Sequence, residues 1–198
     1  MRRPVSGILL ALSAIGLSGC TSNGSHEPAS LLIDGGHGLA NFDQLGEGNW
    51  SADGEAIHAD RSKTTYAYLL TKRKYADFRL NVEFWASDDA NSGVFFRCQN
   101  PQDISAENCY EANIFDQRPD PAYGTGAIVL VAKAPNPMPK AGGRWNRYKI
   151  TAVGPRLTLV LNGVTTVDIE DAKLADGYIA LQWGGGTVKF RKLDIQPL

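Results

Sequence analysis

The sequence predicts an all-β domain of antiparallel strands arranged as a sandwich or a barrel. Beyond residue 30, most segments alternate apolar and polar residues with a period of two, and Gly, Pro, Asn or Asp bounds them. Asn162-Gly163, between two such segments, is typical of a two-residue β-hairpin turn. No segment has the apolar period of an amphipathic helix, and Ile169–Leu174 has room for one helical turn at most. Many short, closely spaced strands are typical of sandwiches and barrels.

Nine segments carry the strand pattern clearly. In chain order they are Asp77–Ser87, Ser92–Gln99, Cys109–Asp116, Gly126–Ala132, Trp145–Val153, Arg156–Leu161, Val164–Ile169, Tyr178–Trp183 and Thr187–Ile195. The run of three glycines at residues 184–186 is predicted to be a turn between the last two strands, because glycine tolerates the backbone angles of tight turns.

The N-terminus predicts export and lipid attachment. Arg2 and Arg3 precede an apolar stretch, Val5–Leu17, which is too short to span a bilayer and is typical of a signal peptide. It ends in Leu-Ser-Gly-Cys at residues 17–20, which resembles the lipobox of bacterial lipoproteins. That resemblance implies cleavage before Cys20 and a diacylglycerol on its thiol. We therefore predict a signal peptide at 1–19, a lipidated Cys20 with a flexible tether at 20–30, and one domain at 31–198.

Composition and charge limit the partners. The chain has 20 Lys and Arg against 21 Asp and Glu, so its charge offers no basic footprint and we predict no nucleic-acid partner. No second segment is apolar enough to span a membrane, so attachment is predicted through the lipid alone. Thr21 follows the lipobox Cys where inner-membrane lipoproteins have Asp, which favours the outer membrane. We expect the domain in the cell envelope, facing the periplasm or the cell surface.

The cysteines predict a disulfide. With Cys20 assigned to lipid, Cys98 and Cys109 remain, and an even number in an exported chain favours a bridge. The polar stretch 99–108 between them is typical of a hairpin loop that such a bridge would close. The alternative is a pair of free thiols, which an oxidising compartment disfavours.

A series of short motifs follows the whole domain in order. They are Trp50 with Asp53-Gly54, Tyr75-Ala76-Asp77-Phe78, Asn91–Arg97, Tyr110-Glu111 with Ile114 and Asp116, Gly143–Asn146, Leu161–Gly163, Gly177–Gln182 and Val188–Arg191. Together they resemble the family of 3-keto-disaccharide hydrolases and 3-keto-glycoside lyase/hydratases, first described as domain of unknown function 1080 (DUF1080). The resemblance implies a concanavalin A-like jelly roll, a sandwich of two antiparallel sheets with carbohydrate chemistry on the concave face.

Strand alternation sorts the polar residues by face. If the strands are neighbours in one sheet, a single surface would carry Glu83, Trp85, Arg97, Glu111, Asn113 and Gln182. Aromatic rings with amides and charges are typical of a sugar site, so we predict Trp85, Asn113, Gln182, Glu83 and Trp183 as substrate-binding residues. The family commonly has Gln where this chain has Asn113.

The resemblance implies chemistry at a 3-keto sugar. The C3 keto group acidifies the C2 proton, a carboxylate could remove it, and a cation would stabilise the enolate. Loss of the C1 substituent followed by hydration gives net hydrolysis. We assign Glu111 as base, Arg97 as enolate stabiliser and Asp116 as a second acid or orienting carboxylate. Asp116 reaches the site only if the strand ends or bends after Phe115.

Each of these assignments has a structural alternative. Arg97 and Glu111 could form a cross-strand ion pair on a solvated face, and Asp116 could be a turn residue. Trp85 or Trp183 could pack under loops. Two Pro-containing loops, Gln117–Thr125 and Lys133–Gly143, are predicted to rim the site. Their candidate ligand contacts are Tyr123, Lys133 and Lys140.

The primary functional hypothesis is a lipid-anchored enzyme whose ligand is an oxidised glycoside. The alternatives are a non-catalytic carbohydrate-binding lipoprotein on the same fold and an envelope interaction protein. The histidines lie apart from other metal ligands, so we predict no metal site and no cofactor. Whether a divalent metal assists the reaction is left open by the sequence.

Overall fold

The computed structural model describes residue 1, residues 28–62 and residues 65–198, and in these residues it is built from strands without an α-helix. The strands, numbered in chain order, are β1 (Ser30–Asp34), β2 (Phe42–Leu45), β3 (Gly48–Ala52), β4 (Ile57–Ser62), β5 (Ala67–Thr71), β6 (Phe78–Ala86), β7 (Asn91–Cys98), β8 (Tyr110–Phe115), β9 (Arg144–Val153), β10 (Arg156–Leu161), β11 (Val164–Glu170), β12 (Tyr178–Trp183) and β13 (Val188–Pro197). Short 3-10 turns occur at Leu39–Asn41 and Pro121–Tyr123. The predicted signal peptide and Cys20 lie outside the described residues. Within those residues, no helix is long and apolar enough to cross a membrane.

The strands form two antiparallel sheets. The eight-stranded sheet has the order β11-β10-β9-β6-β13-β4-β3, and β1 also pairs with β13. The five-stranded sheet has the order β2-β5-β12-β7-β8. The predicted sandwich of two antiparallel sheets is confirmed. The period-two pattern of the sequence matches this architecture, because each sheet buries one face against the other sheet.

The hydrophobic core lies between the two sheets. Along β6 every second residue, from Phe78 to Ala86, is buried and the residues between them are partly exposed. Phe78 meets Phe96 of the other sheet edge to face, with ring centroids 6.1 Å apart. Tyr148 adds a polar link, because its hydroxyl donates to the Asn113 carbonyl and accepts from the Gly126 amide. The sheets are thereby fixed to each other close to β8.

Eight of the nine predicted strands are present with ends shifted by at most two residues, and Gly126–Ala132 is a correction. That segment folds into tight turns, and only Ile128 bridges to Ala112 of β8. Its apolar residues are real core residues, since Ala127, Ile128 and Val129 are buried. Leu130 marks the turn with a φ of 63°. The apolar pattern therefore predicted the burial of this segment correctly, but its backbone is not extended.

The hairpin predicted at Asn162-Gly163 joins β10 to β11. Both residues have positive φ, 51° and 87°, as a type I′ turn requires. Asn162 also fixes the neighbouring strand β9, since its Oδ1 accepts from the Arg147 amide at 2.8 Å. This turn lies beside the outer face of the eight-stranded sheet.

Candidate functional site

A cleft of about 370 Å³ opens on the outer face of the five-stranded sheet. Its floor is made by outward residues of β7, β8 and β12, namely Phe95, Glu111 and Gln182. Residues 103–106, from the loop between β7 and β8, form one wall, and Arg118 lies at the rim. The cleft therefore depends on three neighbouring strands and the two loops that follow β7 and β8.

Gly93 makes room for the polar floor. The pairing of Leu181 with Val94 and of Val94 with Ala112 sets Gln182 and Asn113 on either side of Gly93. A Cβ atom at Gly93 would lie 3.0 Å from Glu111 Oε1. A larger residue would thus press on the carboxylate from the middle of the floor.

Glu111 is a buried carboxylate on the floor of the cleft, and it is only 8% exposed. Burial raises its pKa to about 7, while the Arg118 guanidinium lowers it and the Glu107 carboxylate raises it slightly. A carboxyl group with that pKa exchanges its proton near neutral pH, which is the property of an efficient general acid or base. The position of Glu111 in the cleft agrees with the prediction from strand alternation, and its catalytic role stays a prediction.

Gln182 and Tyr68 lie beside Glu111 in the cleft. The Tyr68 hydroxyl donates to the Ile104 carbonyl at 3.0 Å, and Gln182 Nε2 approaches that hydroxyl at 3.5 Å. Burial raises the pKa of Tyr68 to about 12, so the hydroxyl stays protonated at neutral pH. Within the described residues, Gln182 Oε1 is buried without a hydrogen-bond partner. Such an atom is costly unless a ligand or water donates to it.

Asn113, one row further along β8, is fully buried. Its Nδ2 donates to the Tyr123 carbonyl at 2.6 Å. Its Oδ1, like that of Gln182, has no partner among the described residues. Asn113 therefore holds the loop after β8 to the sheet through the main-chain carbonyl of Tyr123.

The disulfide between Cys98 and Cys109 is confirmed, with Cα atoms 4.2 Å apart. It joins the end of β7 to the start of β8 and closes the loop 99–108. Ile104 of this loop packs into a small apolar cluster with Phe95 and both cysteines. The bridge therefore holds one wall of the cleft against its floor.

Arg97 is a correction, because it does not face Glu111. The pairing of β12 with β7 shifts register here, and Arg97 has a φ of 54°. Its guanidinium is fully buried and donates to three carbonyls and one carboxylate, at Ala76, Gly154, Leu174 and Asp77. These bonds tie Arg97 to the segment before β6, the turn after β9 and the loop between β11 and β12. A β-bulge has thus redirected the side chain that regular alternation placed in the site.

Asp116 is a second correction. Its carboxylate accepts from the amides of Ala141 and Gly142 at 2.9 Å and from the Thr125 hydroxyl at 2.6 Å. These bonds tie the end of β8 to both Pro-containing loops, so the turn alternative describes Asp116 better than a role as acid. Of the two loops, the first contributes Arg118 to the cleft. Lys140 of the second borders a separate groove with Pro135.

Glu83, Trp85 and Trp183 are also corrections. β6 pairs with β9 and β13, so Glu83 and Trp85 lie on the outer face of the other sheet. Trp183 packs against the main core, and its indole donates to the Gly186 carbonyl at 2.9 Å. Alternation gave the face of β6 correctly, but it carries no information on which strands are neighbours.

Sequence reasoning missed Arg118 and Tyr68. Arg118 lies in a loop without periodicity, and Tyr68 lies on a short strand that we did not predict. The one signal for Arg118 is its position in Gln-Arg-Pro-Asp-Pro, directly after the strand that bears Glu111. Among the residues the structure describes, no group of three His, Cys, Asp or Glu side chains could hold a metal ion.

Solved structures with this fold include several carbohydrate-related proteins. Two candidate glycosyl hydrolases from Parabacteroides distasonis superpose with TM-scores of 0.70 and 0.71. The first is 23% identical, with 87% of this chain and 100% of that chain covered. The second is 16% identical, with 86% and 94% covered. A carbohydrate-binding module of family 66 from Bacillus subtilis has a TM-score of 0.60 and 16% identity over 87% and 97%. These similarities show the fold.

The sequence itself matches a family model over residues 28–196, which is well over half of the chain. No curated protein sequence matches the chain. The family is that of the 3-keto-alpha-glucoside-1,2-lyase-like domain, in agreement with the resemblance of the sequence motifs. The chain therefore belongs to the 3-keto-alpha-glucoside-1,2-lyase-like family.

Proposed function

We propose that this domain is an enzyme that cleaves 3-keto-glycosides, with Glu111 as the base that removes the C2 proton. The observation that carries the proposal is the position of one nearly buried carboxyl group, of pKa about 7, on the floor of an open cleft. Burial favours the protonated form, so the ionised carboxylate is a stronger base than one in water. The family to which the chain belongs supports the substrate class.

The reaction would proceed by proton removal and elimination. The Glu111 carboxylate takes the proton from C2, and the C–H electron pair forms the enolate of the C3 ketone. When the ketone re-forms, that pair becomes the C1–C2 double bond, and the C1–O bond breaks. The leaving oxygen keeps the bonding electrons and receives a proton, which the Glu111 carboxylic acid can return. Addition of water to the double bond would complete a net hydrolysis.

Arg118 replaces Arg97 as the proposed stabiliser of the enolate. It lies at the rim of the same cleft, and its positive charge lowers the pKa of Glu111. In the described part of the chain, it forms no ion pair. Gln182 Oε1, which is buried without a hydrogen-bond partner in the described residues, can accept from a sugar hydroxyl.

The test is Glu111→Gln with a chromogenic 3-keto-α-glucoside. We expect the wild type to release the aglycone and the variant to lose about 10²–10⁴-fold in kcat, as is usual when a general base is removed. Calorimetry should still detect substrate binding, because glutamine keeps the size of the side chain. Glu107→Gln, which removes an exposed carboxylate from the loop before β8, is the matched control and should keep its activity.

The second candidate function is carbohydrate binding without catalysis. The same cleft supports it, because Tyr66, Tyr68 and Phe95 supply aromatic surface beside the amide of Gln182. Binding of the 3-keto-glucoside by the wild type without any product would favour this alternative. Full turnover by Glu111→Gln would instead remove Glu111 from the mechanism.

We also propose that a lipid on Cys20 holds the domain at a membrane of the cell envelope, the outer membrane in preference to the inner. The support is the order of the N-terminal segments, in which an apolar stretch ends in Leu-Ser-Gly-Cys. The tether would leave the cleft accessible to glycosides that pass through the envelope.

A further inference from the structure

A second pocket lies on the outer face of the eight-stranded sheet, the sheet that does not carry the cleft. It has a volume of about 420 Å³. Its lining includes Glu83 of β6, Trp145 and Arg147 of β9, Arg191 of β13 and the Asn162 turn. Glu83, which the sequence analysis assigned to sugar binding, thus lies with Trp145 at a separate site.

The charges in this pocket are unequal. Arg147 Nη2 donates to one oxygen of Glu83 at 2.5 Å, and Arg191 Nε donates to the other at 2.8 Å. Both guanidinium groups hold the pKa of Glu83 below its ordinary value, so this carboxylate stays ionised. Two cations share one anion, which leaves an excess positive charge at the pocket. The Glu83 side chain is 14% exposed, whereas Arg147 and Arg191 are 66% and 44% exposed.

A β-bulge in β13 directs Arg191 toward this pocket. The pairing of β13 with β6 shifts register between Phe190 and Lys192, so that Lys192 and not Arg191 pairs with Glu83. Arg191 is the extra residue of this bulge, and a bulge is a common device for directing one side chain toward a ligand. Its guanidinium lies 4.2 Å from the ring centre of Trp145. The contact with the indole and the bond from Nε to Glu83 together restrain the guanidinium.

We propose that this pocket is a second ligand site that binds the carboxylate of an acidic sugar, such as a uronate unit of a glycan. Arginine donors in a fixed plane match a carboxylate in a two-bond geometry. The indole of Trp145 and the amide of Asn162 supply the flat apolar and the polar surface that a hydroxylated ring requires. The site is separate from the cleft, so its ligand would hold the domain on a polysaccharide without occupying Glu111.

The test is calorimetric titration of the folded domain with tetragalacturonate, with maltotetraose and inorganic sulfate as comparison probes. We expect saturable binding of tetragalacturonate that weakens with added salt, and binding at least about tenfold weaker for both other probes. Arg191→Gln and Arg147→Gln should each weaken tetragalacturonate binding about tenfold or more. Arg156→Gln is the matched control, because Arg156 lies on the same sheet in a one-to-one pair with Asp168.

Three outcomes would overturn the proposal. One is the lack of saturable binding up to about 10 mM tetragalacturonate. Another is an equal effect of the Arg191→Gln and Arg156→Gln substitutions. The third is sulfate binding as tight as that of the oligosaccharide, which would indicate a general anion site. Glu111→Gln should bind tetragalacturonate like the wild type, so this result stands or falls separately from the enzymatic proposal.

Discussion

Glu111 carries a measurable energetic signature of its burial. Its pKa rises from 4.5 to about 7 on folding, so the folded state holds the proton more tightly than the unfolded state. The resulting stabilisation is fully present below about pH 4.5 and is lost as the pH rises through about 7. Each pKa unit corresponds to about 1.4 kcal/mol, so this carboxyl should lower the free energy of unfolding by up to about 3 kcal/mol across that window.

Urea unfolding of the wild type and Glu111→Gln at several pH values measures this effect. The difference between the two free energies of unfolding cancels the other titrating groups. We expect Glu111→Gln to gain on the wild type as the pH rises from about 4.5 to about 7 and the difference to level off above it. A difference that does not change with pH would show an ordinary pKa and would also remove the rationale for Glu111 as base.

Single residues show where sequence reasoning reached the site and where it stopped. Glu111 and Gln182 were predicted correctly as outward residues, because regular strands alternate faces. Arg97 was predicted by the same rule and was wrong, since one positive φ at a bulge sends its side chain elsewhere. A bulge depends on tertiary pairing, and neither the composition nor the period of β7 reveals it.

At the scale of elements, the disulfide-closed loop 99–108 is expected to matter for both stability and the site. The Ile104 carbonyl of this loop accepts from the Tyr68 hydroxyl, and the Ile104 side chain packs in one apolar cluster with Phe95. We expect the double variant Cys98→Ala, Cys109→Ala to lose about 3 kcal/mol of stability, which is typical for a bridge that closes a loop of this length. We also expect its KM for a 3-keto-glucoside to rise more than its kcat falls, because Glu111 stays on β8.

The control is Ile104→Ala, which removes a wall side chain and keeps the bridge. If the covalent closure positions the wall, the double variant should weaken substrate binding at least as much as Ile104→Ala does. Unchanged KM in the double variant would show that strand pairing alone fixes the loop. Thermal unfolding of both variants separates a local loss from unfolding of the domain.

Strands β6 to β13 were predictable from their own sequences, and strand partners were not. β6 has nine residues with strict alternation, and its core face was evident. Nothing in that pattern distinguishes β9 and β13 as its neighbours from β7, so Glu83 and Trp85 were assigned to the wrong sheet. The early strands β1–β5 escaped prediction because they are short and lie among turns rich in Gly and Asp. Pairing is set by the packing of two whole sheets, which is information spread over the entire chain.

For the whole molecule, the two sheets give the domain two separate outer faces. One face has a cleft around the Glu111 carboxyl, whose pKa is about 7. The other face has a pocket with excess positive charge. The hydrophobic core between the sheets keeps these faces apart. If both proposals hold, the domain would bind a polymer on one face and act on a glycoside at the other, wherever both ligands occur.

Lipid attachment would fix that location, and Cys20 is the residue that would carry it. Each buried methylene of an acyl chain contributes about 0.8 kcal/mol, and two chains are enough for stable anchoring. In bacteria, we expect the full chain to incorporate labelled palmitate and to sediment with membranes, while Cys20→Ala does neither. The double variant Cys98→Ala, Cys109→Ala keeps Cys20 and should remain labelled and membrane-bound. If Cys20→Ala still sediments with membranes or still takes up label, attachment occurs by another route, and the predicted lipobox has no role in it.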